Sequence, residues 1–205
     1  LNKIFKTKIG NFKNWYDFCK MVELSIPLVE KNANKKHKFY ISPYEFHNKL
    51  SEMCTSDDVI IPCSSGGALT TFYQTFKQKR NQIIISNKGL AAMGYGLSGA
   101  IGASFVNKEK RVILIEGDGG FAQNIQEIGT VAINKCNIKM FIFDDSGYAS
   151  IRMTQRNYFK GNYVGCDINT GLGLPQWDKV FSPWGIKVVK IKNKKFLKLS
   201  NNKYF

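Results

Sequence analysis

Long apolar runs are missing from this sequence. Its longest stretches, such as residues 112–115 and 140–143, fall far short of the about 18 apolar residues that a membrane-spanning helix needs. The chain begins Leu-Asn-Lys-Ile-Phe-Lys, which has neither the apolar segment nor the small-residue cleavage site of a secretory signal. We therefore expect a soluble, cytoplasmic protein with no membrane partner.

Cysteine is scarce as well. The five residues are odd in number and widely spaced, and none belongs to a C-x-x-C pair: Cys19, Cys54, Cys63, Cys136 and Cys166. Zinc sites and redox motifs usually carry such a pair, so the sequence offers no sign of either. We expect reduced thiols, in agreement with a cytosolic compartment.

Acidic residues are few. The 205 residues include 30 Lys+Arg and only 15 Asp+Glu, which gives a formal net charge of +15. A basic excess can indicate a nucleic-acid binder, whose affinity would fall steeply with salt. Here the basic residues are densest towards the two ends, in 31–38 and 187–198, without a basic helix or an aromatic RNA-binding signature. We favour a solvated basic surface and expect no nucleic-acid partner.

Apolar residues are plentiful, at 43% of the chain, which excludes a disordered protein. From about residue 41, short apolar runs alternate with helix-like stretches. This alternation is typical of an α/β protein with a doubly wound, mostly parallel sheet and helices on both faces. Strands are predicted at residues 58–62, 82–86, 111–116, 138–143 and 186–191. Helices are predicted at residues 68–77, within 89–106, at 121–134 and from about 149.

A further helix is predicted to begin at Pro43, with Ser42 as its N-cap and Glu45 closing a capping box. Residues 1–40 do not follow the α/β alternation, and we expect a linker or the end of a preceding domain there. A short helix in that part would place three apolar side chains on one side: Trp15, Phe18 and Met21.

Both ends of the chain are expected to be truncated. Residues 193–205 stop amid Lys and Asn, without the closing strand and helix that such a sheet normally gains. The α/β domain itself is predicted to span residues 41–192.

Three loops follow predicted strands, and ligands bind at the carboxyl ends of strands in open α/β sheets. These loops are residues 63–67, 116–120 and 144–148. Gly119 and Gly120 precede a predicted helix, so their backbone N–H groups suit a phosphate.

Two carboxylates lie in the same loops. Mg²⁺ is usually held by one or two side chains together with substrate phosphates, which Asp118, Asp145 and a diphosphate would supply. Ser64, Ser65 and Gly66 are candidate donors to that diphosphate from the neighbouring strand end.

Each motif alone has a plainer interpretation. Gly-Asp-Gly after a strand is often only a tight turn, and Asp-Asp-Ser-Gly is an ordinary turn. The two together, each after a strand, favour a shared diphosphate and metal site.

Two segments carry a resemblance to a known family. Residues 117–119 (Gly-Asp-Gly) and 144–148 (Asp-Asp-Ser-Gly-Tyr) together resemble the thiamine-diphosphate motif of the acetolactate synthase and pyruvate decarboxylase superfamily. Residues 89–103 are similar to a second signature, in which a large apolar residue holds the cofactor in its bent form. The resemblance covers residues 41–192 and implies the thiamine-diphosphate-binding fold of the C-terminal domain.

The resemblance also implies roles for single residues. Mg²⁺ would be held by the side chains of Asp118 and Asp145 and by the carbonyl of Gly147, while Gly119 and Gly120 would meet the diphosphate. The other implied cofactor contacts are Ser64, Ser65 and Gly66 beside the diphosphate, Ala91 and Met93 at the bent cofactor, and Tyr148 and Ile151 near the reacting carbon. For Met93, the residue type alone would suggest a core methionine.

The sequence departs from the family's pattern in three ways. Asp145 stands where the family usually has Asn, so an additional negative charge lies beside Asp118 and the diphosphate. A common Pro is replaced by Ser98, which we expect to matter little. The family's activating Glu lies in an N-terminal domain, so we expect no catalytic residue in this chain and no activity from it alone.

The resemblance therefore implies the C-terminal part of an acetolactate synthase-like enzyme, a transferase or lyase that decarboxylates a 2-oxo acid and joins the product to an acceptor. Its expected cofactors are thiamine diphosphate and Mg²⁺. Its expected partners are a pyrimidine-binding domain or subunit and further copies of itself in a homo-oligomer. The alternatives are a subunit of a split 2-oxo acid decarboxylase and a non-catalytic interaction module with a degenerate site.

Overall fold

The computed structural model describes residues 12–30, 40–63 and 65–191. The chain divides into two compact units, Leu1–Lys35 and Lys36–Phe205. The domain boundaries predicted at residues 40 and 192 stay predictions, and the predicted tail lies outside the described residues.

Helix α1, Lys13–Ser25, belongs to the first unit. This helix confirms the short helix predicted for the region, and within it Trp15 stacks on Phe18 with ring centroids 5.6 Å apart. Both rings and Met21 are exposed, and no residue of α1 is buried.

Helix α2, Pro43–Met53, opens the second unit as predicted. The hydroxyl of Ser42 accepts a hydrogen bond from the backbone N–H of Glu45 at 3.4 Å, which satisfies one of the free donors of the first turn. Phe46 and Leu50, one turn apart, are buried on the side that faces the sheet.

In the part of the chain that the structure describes, four strands form the sheet: β1 (Val59–Ile61), β2 (Ile83–Ile84), β3 (Val112–Gly117) and β4 (Ile138–Phe143). Every pairing is parallel and the spatial order is β2-β1-β3-β4. Leu114 of β3 is in register with Ile61 on one side and Met140 on the other. The apolar residues of β3 have no exposed surface, as expected for a central parallel strand.

The other α-helices seen in residues 65–191 are α3 (Gly66–Thr75), α4 (Tyr95–Val106), α5 (Asp118–Ala122), α6 (Ile128–Ile133), α7 (Ala149–Tyr158) and α8 (Trp177–Phe181). Alternate residues of β3 point to opposite faces of the sheet. Ile113 and Ile115 join a core with α2 and α3, whereas Val112 and Leu114 join a second core with α4, α6 and α8. The predicted fold class, a doubly wound parallel sheet with helices on both faces, is confirmed. None of the described helices is long and apolar enough to cross a membrane.

The order of the strands creates a switch point between β1 and β3. From β1 the chain passes through α3 to β2 at one edge, and α4 then returns it to β3 on the other side of β1. The loops after β1 and β3 therefore leave the sheet in opposite directions and border a crevice, where open α/β sheets bind ligands.

Two predicted elements are wrong. The helix predicted at 121–134 is broken into α5, a 3₁₀ turn and α6, because the backbone of Asn124 is not helical (φ −131°, ψ 31°). Residues 186–191 form no strand. Val188 and Val189 are half-exposed and no described strand pairs with them, so this segment lacks the ladder that would stabilise it.

Candidate functional site

The carboxyl ends of the strands bring the predicted loops together. Asp118, directly after β3, is hydrogen-bonded to the loop after β4. A Cβ atom added at Gly66, after β1, would lie 4.0 Å from the hydroxyl of Ser150 at the start of α7. The Asn124 side chain reaches the carbonyl of Gly94 at 2.9 Å, which adds the loop after β2.

Asp118 is buried, with 2% of its surface exposed. Its Oδ2 accepts from the backbone N–H groups of Asp145 and Gly147, both at 3.1 Å. Its Oδ1 accepts from the N–H of Gly119 at 2.6 Å. Three backbone donors thus fix the carboxylate at the base of the crevice.

Burial raises the pKa of Asp118 to about 6, and the neighbouring carboxylate of Asp145 adds to the rise. The N–H groups of Gly147 and Gly119 oppose it. Burial also raises the pKa of Asp145. Two carboxylates that each resist ionisation at close range are an environment that a bound cation would stabilise.

Arg152 of α7 pairs with Asp145, a contact that sequence reasoning missed. Its Nη2 donates to Oδ1 of Asp145 at 3.0 Å and to the Asp145 carbonyl at 2.9 Å. The guanidinium opposes the rise in the pKa of Asp145. The sequence did contain an indication of this contact, because Arg152 lies about two helical turns after the acidic pair at residues 144–145, on the helix that follows the pair.

Gly147 is held in a conformation that requires glycine, with φ at +142°. A Cβ atom there would collide with the backbone carbonyl of Cys166, and it would lie 2.7 Å from Nη1 of Arg152. The same Cys166 carbonyl accepts from the N–H of Tyr148 at 2.8 Å, and Gly147 forms an isolated bridge with Asp167. The predicted metal loop is therefore packed against residues 166–167.

Gly119 and Gly120 lie at the start of α5, where a phosphate was predicted. Side chains at these positions would collide with the ring of Tyr148 and with the carboxylate of Glu116, respectively. A side chain at either position would therefore force its neighbour to shift, whatever the two glycines bind.

Glu116 was not among the predicted site residues, yet it is buried beside them. Burial raises its pKa to about 7, and its Oε2 has no hydrogen-bond partner within the described residues. It fills the space between Gly96 of α4 and Gly120 of α5.

The loop before α4 carries the two predicted contacts to the bent cofactor. Ala91 adopts a positive φ of +52°, which is uncommon for a residue with a side chain. Met93 is 41% exposed, so it is not a core methionine. Asn124 donates to the hydroxyl of Ser98 at 2.9 Å as well as to Gly94, and it thereby ties this loop to the segment after α5. Sequence reasoning missed Asn124, whose role was indicated in the sequence only by its polar side chain within a predicted helix.

The remaining predicted contacts line the same edge. Ser65 is the extended residue before α3, and Gly66 begins the helix with φ at +74°. Ser64 lies outside the described residues. The Tyr148 hydroxyl accepts from Gln123 at 3.1 Å, and Ile151 on α7 is 41% exposed.

The donor set fits a divalent cation that arrives with a phosphate ligand. Among the described residues, no three His, Cys, Asp or Glu side chains come together as a metal site. Asp118 and Asp145 supply two carboxylates, and Mg²⁺ commonly completes such a pair with phosphate and water oxygens. The roles of the single residues stay predictions.

A family model described as the thiamine pyrophosphate enzyme, C-terminal TPP binding domain, matches residues 65–202 of this chain. The match includes every predicted site residue except Ser64.

Curated relatives include acetolactate synthases. The probable large subunit from Methanococcus aeolicus is 36% identical over 144 residues, which cover 70% of this chain and 24% of that protein. The large subunit from Cyanidium caldarium is 34% identical over 114 residues, 56% of this chain and 19% of that protein. Acetolactate synthase 1 of Zea mays is 28% identical over 183 residues, 89% of this chain and 27% of that protein. The chain thus spans between 19% and 27% of the length of these relatives.

A solved structure shares the fold. The thiamine diphosphate-dependent 4-hydroxybenzoylformate decarboxylase of Rhodococcus jostii matches with a TM-score of 0.68 and 17% identity, over 81% of this chain and 30% of that chain. At this identity the likeness concerns the fold alone.

Proposed function

The chain belongs to the family of C-terminal TPP-binding domains of thiamine pyrophosphate enzymes and is related to acetolactate synthases, and from this membership we propose that it holds thiamine diphosphate through Mg²⁺ in an acetolactate synthase-like enzyme. The observation that carries the proposal is the buried Asp118 carboxylate, bonded to the backbone of the loop that contains Asp145 and Gly147. A carboxylate fixed in this way is pre-organised for a cation.

Each loop has a distinct task in this proposal. Asp118, Asp145 and the carbonyl of Gly147 would hold Mg²⁺, and the backbone N–H groups of Gly119 and Gly120 would meet the diphosphate. When bound, thiamine diphosphate supplies the electron sink for cleavage of a 2-oxo acid. The protein orients that reactive part and excludes water from it.

The aromatic end of the cofactor is assigned to the loop before α4. Met93 projects from that loop with 41% of its surface exposed, and Leu90 is 83% exposed. Ile151, also 41% exposed, lies on α7, the helix that follows the metal loop. Apolar side chains left open in this way support a surface that a cofactor and a second domain cover together.

We propose that the activating glutamate comes from a pyrimidine-binding domain, either in a longer polypeptide or in a partner chain. The isolated chain is then inactive, and a homo-oligomer completes the site. The reaction class we propose is decarboxylation of a 2-oxo acid followed by carboligation. We also propose a cytoplasmic location, which stays a prediction.

Isothermal titration of thiamine diphosphate into the chain tests the proposal, with and without Mg²⁺ and with a supplied pyrimidine-binding domain. Binding should require Mg²⁺ and be lost in Asp118→Ala. Asp178→Ala, an exposed carboxylate on α8, is the matched control and should bind as the unsubstituted chain does.

Three results would contradict the proposal. Absence of binding even with the supplied domain would favour a non-catalytic interaction module. Binding that ignores Asp118 would place the cofactor elsewhere. Turnover of a 2-oxo acid to an aldehyde without carboligation, once the domain is supplied, would favour the split decarboxylase instead.

A further inference from the structure

Arg152 gathers acceptors from two separate segments. Nη2 donates to the carboxylate and the carbonyl of Asp145, at 3.0 and 2.9 Å. Nη1 donates to the carbonyls of Cys166 and Ser146, at 3.2 and 3.4 Å. The planar guanidinium, with five donors in a fixed geometry, is suited to hold several oxygens at once.

The negative charges near Asp118 explain why the site needs a positive charge in addition to the metal ion. Asp118 and Asp145 bring two negative charges to the proposed metal site, which one divalent cation only neutralises. An anionic diphosphate would then enter with no positive charge left to balance it. Arg152 is the cation that contacts Asp145 directly, with 26% of its side chain exposed against 47% for Asp145.

We propose that Arg152 is a positioning residue that offsets the charge of Asp145, so that the site accepts a divalent cation together with a diphosphate. This inference rests on the proposed function and assigns Arg152 to the same site. The inference predicts that a substitution of Arg152 weakens thiamine diphosphate binding only when residue 145 carries a carboxylate.

A double-mutant cycle separates this role from a purely structural one. Mn²⁺ serves as the metal probe, and thiamine diphosphate is titrated into the full 205-residue chain at saturating Mn²⁺. We expect Arg152→Gln to weaken thiamine diphosphate binding by about fivefold to tenfold, a coupling within the usual range for residues of one network. In the Asp145→Asn background, the same substitution should change the affinity by less than about twofold.

Binding of Mn²⁺ alone supplies an independent readout by electron paramagnetic resonance. Loss of the Arg152 charge leaves the two carboxylates more negative, so Mn²⁺ without diphosphate should bind as well or more tightly. A merely structural role would weaken both kinds of binding. Arg152→Lys keeps the charge and should retain most of the affinity for thiamine diphosphate.

Arg156 provides the matched control, since it lies one turn further along α7, is exposed and bonds only to the neighbouring Asn157 among the contacts seen. Arg156→Gln removes the same charge from the same helix and should leave binding within about twofold. If Arg152→Gln does not fold, Arg152→Lys can be measured instead, alone and together with Asp145→Asn. The proposal expects a near-normal affinity for thiamine diphosphate in both variants.

Three outcomes would overturn the inference. Equal losses from Arg152→Gln in both backgrounds would show that Arg152 only holds backbone carbonyls. An equal loss in Arg156→Gln would show a general surface-charge effect. Failure of the unsubstituted chain to bind Mn²⁺ and thiamine diphosphate in an Asp118-dependent manner, even with the supplied pyrimidine-binding domain, would overturn the proposed function and this inference together.

Discussion

The carboxylate of Glu116 lies where the Cβ atom of any larger residue at Gly96 would stand. Glu116 is 2% exposed, so its side chain has no free path to water. A side chain at residue 96 would therefore force the buried Glu116 carboxylate to shift.

Gly96→Ala is expected to lower the free energy of unfolding by about 1–3 kcal/mol, because the added methyl group overpacks the contact with Glu116. Gly102→Ala, in the same helix but facing open space, should instead raise it by about 0.5–1 kcal/mol. Urea unfolding of the two variants measures both effects. Stabilisation by both alanines would show that Glu116 moves aside freely.

Gly147→Ala is expected to destabilise the chain by about 3 kcal/mol, since its positive φ and its contact with the Cys166 carbonyl both exclude a side chain. Gly171→Ala also has a positive φ, but it faces open space and should cost only about 1 kcal/mol. Chemical unfolding gives the difference, and titration of thiamine diphosphate should show a loss of affinity for Gly147→Ala alone. Equal effects in both assays would contradict the tight packing of the metal loop.

His47 should make the chain sensitive to acid. Burial lowers its pKa to about 3, whereas an unfolded histidine titrates near 6.5. Between these values the unfolded chain binds a proton that the folded chain does not, so stability present above pH 6.5 is lost as the pH falls. The loss should approach about 1.4 kcal/mol per pH unit.

His47→Asn tests this contribution through urea unfolding between pH 7.5 and 4.5. Asn carries both a donor and an acceptor, so it can replace the hydrogen bond that links Nδ1 to the Thr71 hydroxyl at 3.1 Å, but it cannot be protonated in this range. The variant should lose stability less steeply with acid than the unsubstituted chain. Parallel slopes would show that other groups govern the acid response.

The local sequence pattern was sufficient to predict most of the strands and helices that carry the candidate site. The apolar run of β3 and the Ser42 cap of α2 were both predictable, because strand burial and capping depend on neighbouring residues. Parallel strands end at one edge of the sheet, so the approach of Asp118 to the loop at 145–147 followed from topology.

Contacts between distant side chains were beyond that reasoning. The break at Asn124 depends on acceptors in Gly94 and Ser98, which a helical pattern does not reveal. The pairing of Arg152 with Asp145 depends on the rotation of α7 about its own axis, which the packing of the whole domain determines. Residues 186–191 had a strand composition, but a strand forms only where a neighbour offers its edge.

The bridge between Gly147 and Asp167 also matters for protein engineering. A short motif is often transplanted as a self-contained cassette, and residues 144–148 would be the obvious choice. In this protein the cassette would leave behind Arg152 and the Cys166 carbonyl, which hold its backbone in place. The smallest portable unit therefore extends to residue 167, and we expect a deletion in the surface loop at 159–165 to disturb the proposed metal site as well.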